Sequence, residues 1–190
     1  MTKLRAPSKA LWAAELPRAA WSIARLIAAR RRLRAGPRGN GQPVMLLPGL
    51  FNSDRSNAIL RRYLTARGHN ARGWQLGRNL GARTTGSDGD RLIAEVERFA
   101  AEVGQPVALV GVSLGGIMAR LVAHRRPDLV SQVVTVASPY AGDARATNVW
   151  RAFEWMTGER LSDPDVQRRS AELARPLPVR TTRGRGSPPK

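Results

Sequence analysis

Apolar residues fall along this chain in two alternating rhythms. Short, nearly unbroken apolar runs occur at Pro43–Leu47 (PVMLL), Pro106–Val112 (PVALVGV) and Val130–Ala137. Such runs are expected of strands covered on both faces. Ala71–Leu76 adds a further short strand. Between these runs the apolar positions recur at helical spacing. Ser56–Arg67 brings Ile59, Leu60, Tyr63 and Leu64 to one face, Asp90–Val103 lines up Leu92, Ile93, Val96 and Phe99, and Gly115–Arg125 makes a third helix. Pro48-Gly49 and the stretch Gly77–Gly81 punctuate the pattern as loops. Strands alternating with helices predict an α/β domain, a mostly parallel sheet flanked by helices.

Residues 1–38 follow a different pattern. Leu11, Trp12, Leu16, Trp21, Ile23, Leu26 and Ile27 recur at roughly helical spacing, Pro17 divides them, and Arg30, Arg31, Arg32 and Arg34 follow. This predicts a basic amphipathic leader broken into two helices. Glu15, Arg18 and Arg25 interrupt the apolar run too early for a membrane span. The positive cluster follows the apolar stretch, whereas in a secretory signal it comes first. Two uses of the leader stand: peripheral contact with an anionic membrane, with Trp12 and Trp21 among headgroups, or packing on the domain's own core. A cytoplasmic or peripherally membrane-associated location follows. Gly36–Gln42 reads as a turn-rich linker, and the main domain runs over residues 43–179.

Composition adjusts this picture modestly. A chain of 190 residues fits one domain. Its Lys+Arg count of 32 against 14 Asp+Glu leaves a net charge of +18. Lysine occurs only at Lys3, Lys9 and Lys190, so nearly all of the excess is arginine, which a GC-rich genome inflates without function. Nucleic acid is not the expected partner, because aromatic residues are missing among the tail arginines and no binding module is recognisable. Cysteine is absent, which excludes disulfides and thiolate chemistry. No cofactor is implied and no metal site is visible.

The candidate chemistry lies where a strand gives way to a helix. Gly111-Val112-Ser113-Leu114-Gly115 is a G-x-S-x-G pentapeptide, directly after the apolar run Pro106–Val112 and before the helix Gly115–Arg125. A nucleophilic serine needs such a sharp turn, which lifts its hydroxyl above the carboxyl edge of the sheet. The following helix points its amino end at the developing oxyanion. Ser113 is therefore the candidate nucleophile. An oxyanion hole needs a second backbone donor beside that of Leu114, and the loop Pro48-Gly49-Leu50-Phe51 ends the first strand at the same edge. Leu50 is the expected second donor, with Phe51 as the alternate.

The run PVMLLPGLFNSDRSNAILRRYLTARGHNARGWQLGRNLG, followed by ALVGVSLGGIMARLVAHRRPDLVSQVVTVASPYAGD, resembles the α/β-hydrolase superfamily, and within it bacterial lipase- and esterase-like members. The resemblance covers roughly residues 43–160. It implies Ser113 as nucleophile, carboxylic ester hydrolysis through an acyl-enzyme, and an acid and a histidine later in the chain. The implied substrate is an ester or lipid-like small molecule. Asn148–Asp165, with Trp150, Phe153, Trp155 and Met156, suits a pocket-covering segment or an ordinary packed helix.

The rest of a triad is harder to place. After Ser113 the only histidine is His124, eleven residues on, which a continuous helix carries about 16 Å from the elbow. His69 precedes its strand and so belongs at the opposite edge of the sheet. Asp143, just beyond the last strand, is the candidate acid, and Asp54 is another carboxylate near the oxyanion loop. No apolar residue follows Val179, so residues 180–190 read as a disordered basic tail, produced by a frame change or native to the protein. The fold is then an α/β-hydrolase lacking its C-terminal strands, with Val130–Ala137 left as an exposed edge. The function expected is an impaired serine ester hydrolase. A non-catalytic binding protein and an acyltransferase on the same fold are the alternatives.

Overall fold

A computed structural model describes residues 38–86, 88–138 and 175–184, together with Arg25, Ala28, Ala29, Ala35 and Gly36. The chain divides into two compact units, Met1–Arg38 and Gly39–Lys190. The expectations for the leader, for Asn148–Asp165, for Asp143 and for residues 185–190 fall almost wholly outside the described residues. Among the described residues no helix is long and apolar enough to cross a membrane.

The apolar runs form a parallel sheet. Its strands are β1 (Pro43–Leu47), β2 (Asn70–Gly73), β3 (Val107–Val112), β4 (Val130–Val136) and β5 (Arg180–Gly184), in the spatial order β2-β1-β3-β4-β5. All four pairings between neighbouring strands are parallel. Met45 stands opposite Leu109, and Leu109 opposite Val133, so one row of apolar side chains crosses the sheet on a single face.

Helices α1 (Ala58–Ala66), α2 (Ala82–Thr85), α3 (Asp90–Val103) and α4 (Leu114–Arg125) connect the strands. Leu92, Val96 and Phe99 of α3 join Met118, Ala119 and Val122 of α4 over that row in one apolar cluster. Each large side chain buried there contributes about 1.5–3 kcal/mol relative to exposure. Helix α1 is different, because it buries none of its residues and leaves Ile59 74% exposed.

Two expectations are corrected. Residues 180–184 are not part of a disordered tail. They form β5, paired along its length with β4 from Gln132↔Arg180 to Val136↔Gly184. The absence of apolar residues after Val179 bears only on side-chain burial, and an edge strand is held by its backbone ladder. The approach is anchored beforehand: Leu177 and Val179 pack against the core, and buried Arg120 of α4 donates to the Arg175 carbonyl at 2.5 Å. In consequence β4 is not an edge. It lies between β3 and β5.

Candidate active site

Strand β3 stops at Val112 and α4 starts at Leu114, so a single residue turns the chain. Ser113 does this with φ 52° and ψ −119°. A non-glycine residue held there is strained by about 1–3 kcal/mol and persists only where its surroundings over-determine it. They do so here. The Ser113 N–H donates to the Val136 carbonyl at the end of β4 at 2.9 Å, and the Ser113 carbonyl accepts from the Gly116 N–H at 3.0 Å.

The glycines of the pentapeptide are dictated by contact between backbones. A Cβ on Gly111 would overlap the Gly115 carbonyl and Gly116 Cα. One on Gly115 would run into the carbonyls of Leu47 and Pro48. Strand β3, helix α4 and the end of β1 therefore meet with no room for a side chain. Ser113 is half-buried.

The loop after β1 lies against this serine. A Cβ on Gly49 would stand 3.4 Å from Ser113 Cβ. Gly49–Asn52 is a β-turn closed by the Asn52 N–H on the Gly49 carbonyl at 3.1 Å. Phe51 at its third position has φ 64°, as a type II turn demands. The N–H of Phe51, the alternate donor expected from this loop, donates to the Asn79 carbonyl at 2.8 Å. Leu114 opens α4, and its N–H has no acceptor within the helix. Phe51 on this loop is 46% exposed, and Val136, whose carbonyl holds the Ser113 N–H, is 36% exposed.

Other candidates are placed elsewhere. The Asp54 carboxylate accepts from the Trp74 N–H at 2.9 Å and the Gln75 N–H at 3.1 Å, so it shapes the turn after β2. His69 immediately precedes β2 and packs against Gly39, at the amino edge of the sheet. His124 is in the last turn of α4, about 15 Å along the axis from its first residue. Among the described residues no cluster of side chains could hold a metal ion.

One residue was not singled out from the sequence. Asn79, in the loop Gly77–Gly81, is fully buried. Its side-chain Nδ2 donates to the Pro48 carbonyl at 2.7 Å, and its Oδ1 accepts from the Gly81 N–H at 3.0 Å. Its main chain also donates to the Asn52 carbonyl at 2.8 Å. The only sequence signal was a polar residue enclosed by glycines in a loop.

Topology explains why these pieces converge. From β1 the chain goes to β2 on one side, then returns to β3 on the other, and crevices open at the carboxyl ends of strands where the order reverses. Other doubly wound sheets share this order, but the strained serine between β3 and α4 sets this one apart.

No family model matches the chain. A triacylglycerol lipase of Pseudomonas fragi is 30% identical over 114 residues, covering 58% of this chain and 39% of the lipase. The mature lipase of Bacillus licheniformis superposes with a TM-score of 0.54 at 15% identity, over 78% of this chain and 67% of its own. The chain has the α/β-hydrolase fold. A probable hydrolytic enzyme of Pseudomonas aeruginosa, at 19% identity and a TM-score of 0.46, matches over 73% of this chain and 52% of its own. The chain thus spans under half the length of the P. fragi lipase and about half that of the P. aeruginosa enzyme.

Proposed function

We propose that this α/β-hydrolase domain attacks carboxylic esters of lipid type through Ser113. The observation that carries the reading is the serine itself, strained at φ 52° between β3 and the amino end of α4. Its Oγ adds to the ester carbonyl carbon, and the carbonyl oxygen gathers negative charge. The N–H groups of Leu50 and Leu114 receive that charge, in a site where fixed donors need no reorganisation. Collapse expels the alcohol and leaves an acyl-Ser113 ester, which water then hydrolyses to the acid. The apolar surface of Phe51 and Val136 suits an acyl chain. The match to a triacylglycerol lipase supports the same substrate class.

A serine hydroxyl needs a base to lose its proton readily near neutral pH. Neither His69 nor His124 stands at the carboxyl edge, so in this chain the Oγ proton passes to solvent and the chemistry is slow. An oxyanion hole with binding alone still gives about 10³–10⁴ over water.

Fluorophosphonate labelling followed by peptide mapping tests this reading. Slow modification of Ser113, abolished in Ser113→Ala, is expected, together with weak hydrolysis of p-nitrophenyl esters. No modification of Ser113, or equal modification in Ser113→Ala, would sink the nucleophile. Rapid stoichiometric labelling would overturn the slow chemistry and show that a base is supplied.

A further inference from the structure

We infer that Asn79 is the positioning residue of the oxyanion turn: its buried amide fixes where the Leu50 N–H points. The inference rests on the reading of Ser113 as a nucleophile and adds a residue that touches no substrate.

The geometry is specific. Residue 79 binds the loop at three places: Pro48 through Nδ2 at 2.7 Å, Phe51 through its own carbonyl at 2.8 Å, and Asn52 through its own N–H at 2.8 Å. Between Pro48 and Asn52 these bonds skip Gly49 and Leu50. The Gly49–Leu50 peptide, which carries the Leu50 N–H, therefore lies between two anchored peptides, and a Cβ on its Gly49 would stand 3.4 Å from Ser113 Cβ.

The same Nδ2 approaches Met118 Sδ of α4 at 3.5 Å, and Oδ1 accepts from Gly81, so the amide bridges the β1 loop, its own loop and the serine's helix. Full burial matters, because a side chain shielded from water cannot exchange these partners for solvent, and an unmade bond there is costly. The turn needs such a clamp. Phe51 sits at φ 64°, where a bulky residue is a steric outlier. Without these bonds the peptides on either side of Gly49–Leu50 would be free to rotate, and the Leu50 N–H would turn with them.

Aspartate at this position keeps the shape but replaces the donor to Pro48 by an acceptor. In the full chain, Asn79→Asp and the milder Asn79→Ala are compared with wild type by amide exchange at Phe51 and Asn52 and by Ser113 labelling. The labelling uses a fluorophosphonate and its P=S analogue, the fluorophosphonothioate, since sulfur accepts hydrogen bonds poorly. Both variants should speed exchange at Phe51 and Asn52 at least tenfold while amides of β3 keep their protection. Labelling by the oxygen probe should fall at least tenfold, and the preference for oxygen over sulfur should shrink. Unchanged exchange in the turn overturns the inference. So does a rise spread equally over the turn and β3, because Asn79 would then be a core residue only. If wild type is not labelled, the nucleophile reading falls, and amide exchange alone decides Asn79. If wild type is labelled and the variants react at its rate and selectivity, the inference falls while the nucleophile stands.

Discussion

Backbone strain marks the site residue by residue. Among the described residues, the non-glycine positions with positive φ are Phe51, Gln75, Ser113 and Ala137. They follow the carboxyl ends of β1, β2, β3 and β4 in turn. Strain of about 1–3 kcal/mol each is thus gathered at the edge where chemistry is proposed and is absent from the interior strands. The glycines beside Ser113 allow a sharp comparison. Gly115→Ala places its Cβ on the carbonyls of Leu47 and Pro48, which are backbone and cannot move aside. We expect it to cost about 1–3 kcal/mol or more in urea unfolding, as overpacked cores do. Gly49→Ala meets its neighbours at 3.4–3.6 Å, close to ordinary contact, and should cost clearly less. Equal losses would show that the elbow can relax. Ser113 and its glycines were legible in the sequence because their constraint is local, a turn between two periodic segments. Asn79 was not, because its burial depends on the β1 loop about thirty residues earlier. Asp54 was noticed as a carboxylate near the site, but its partners Trp74 and Gln75 reveal a structural acceptor.

Whole elements show the same division. Periodicity located Pro43–Leu47 and Asp90–Val103 to the residue, because each buries an apolar face that the pattern encodes. Strand β2 ends at Gly73 and not at the expected Leu76, since Trp74 leaves the ladder and its N–H turns to Asp54. Strand β5 carries no apolar pattern, and only its ladder with β4 reveals it. Edge strand β2 is fastened by charge as well as by packing. Arg72 lies 4.1 Å over the Phe99 ring and donates to both oxygens of Glu102, at 2.8 and 2.6 Å. That hydrogen bond, with the attraction of the guanidinium, holds the Glu102 carboxyl below its ordinary range and raises Arg72. Asp128, hydrogen-bonded by Arg126, is lowered likewise. A depressed carboxyl contributes stability that is full above its unfolded pKa, about 4.3 for glutamate, and is lost as pH falls through the folded value. The melting temperature should therefore decline as pH drops below about 4. Glu102→Gln should lower it at neutral pH and flatten that decline, an effect that salt weakens because the pair is exposed. An acid profile identical in Glu102→Gln would remove this pair from the stability of β2.

At the scale of the molecule, the question is what guards the ends of the sheet. The strand order places polar or basic segments at both described edges, β2 (NARG) and β5 (RTTRG), and keeps valine-rich β4 inside. Unpaired strand edges invite other chains, and charge along an edge discourages them. With a net charge of +18, arginine at these edges adds repulsion between copies. The distribution thus has a structural use that needs no anionic partner. It also makes β5 a cover for β4, although Arg180 and Thr181 are themselves exposed. Amides of Val130–Val136 should consequently exchange about as slowly as those of Val107–Val112, with Arg180–Gly184 faster than both. Removing residues 180–190 should leave β1, β3 and α3 folded but open the β4 ladder from Gln132 to Val136. Sedimentation velocity should then show self-association that grows with salt, as screening removes the remaining repulsion. A shortened chain that stays monomeric in high salt, with β4 exchange unchanged, would show that β5 does not protect the sheet.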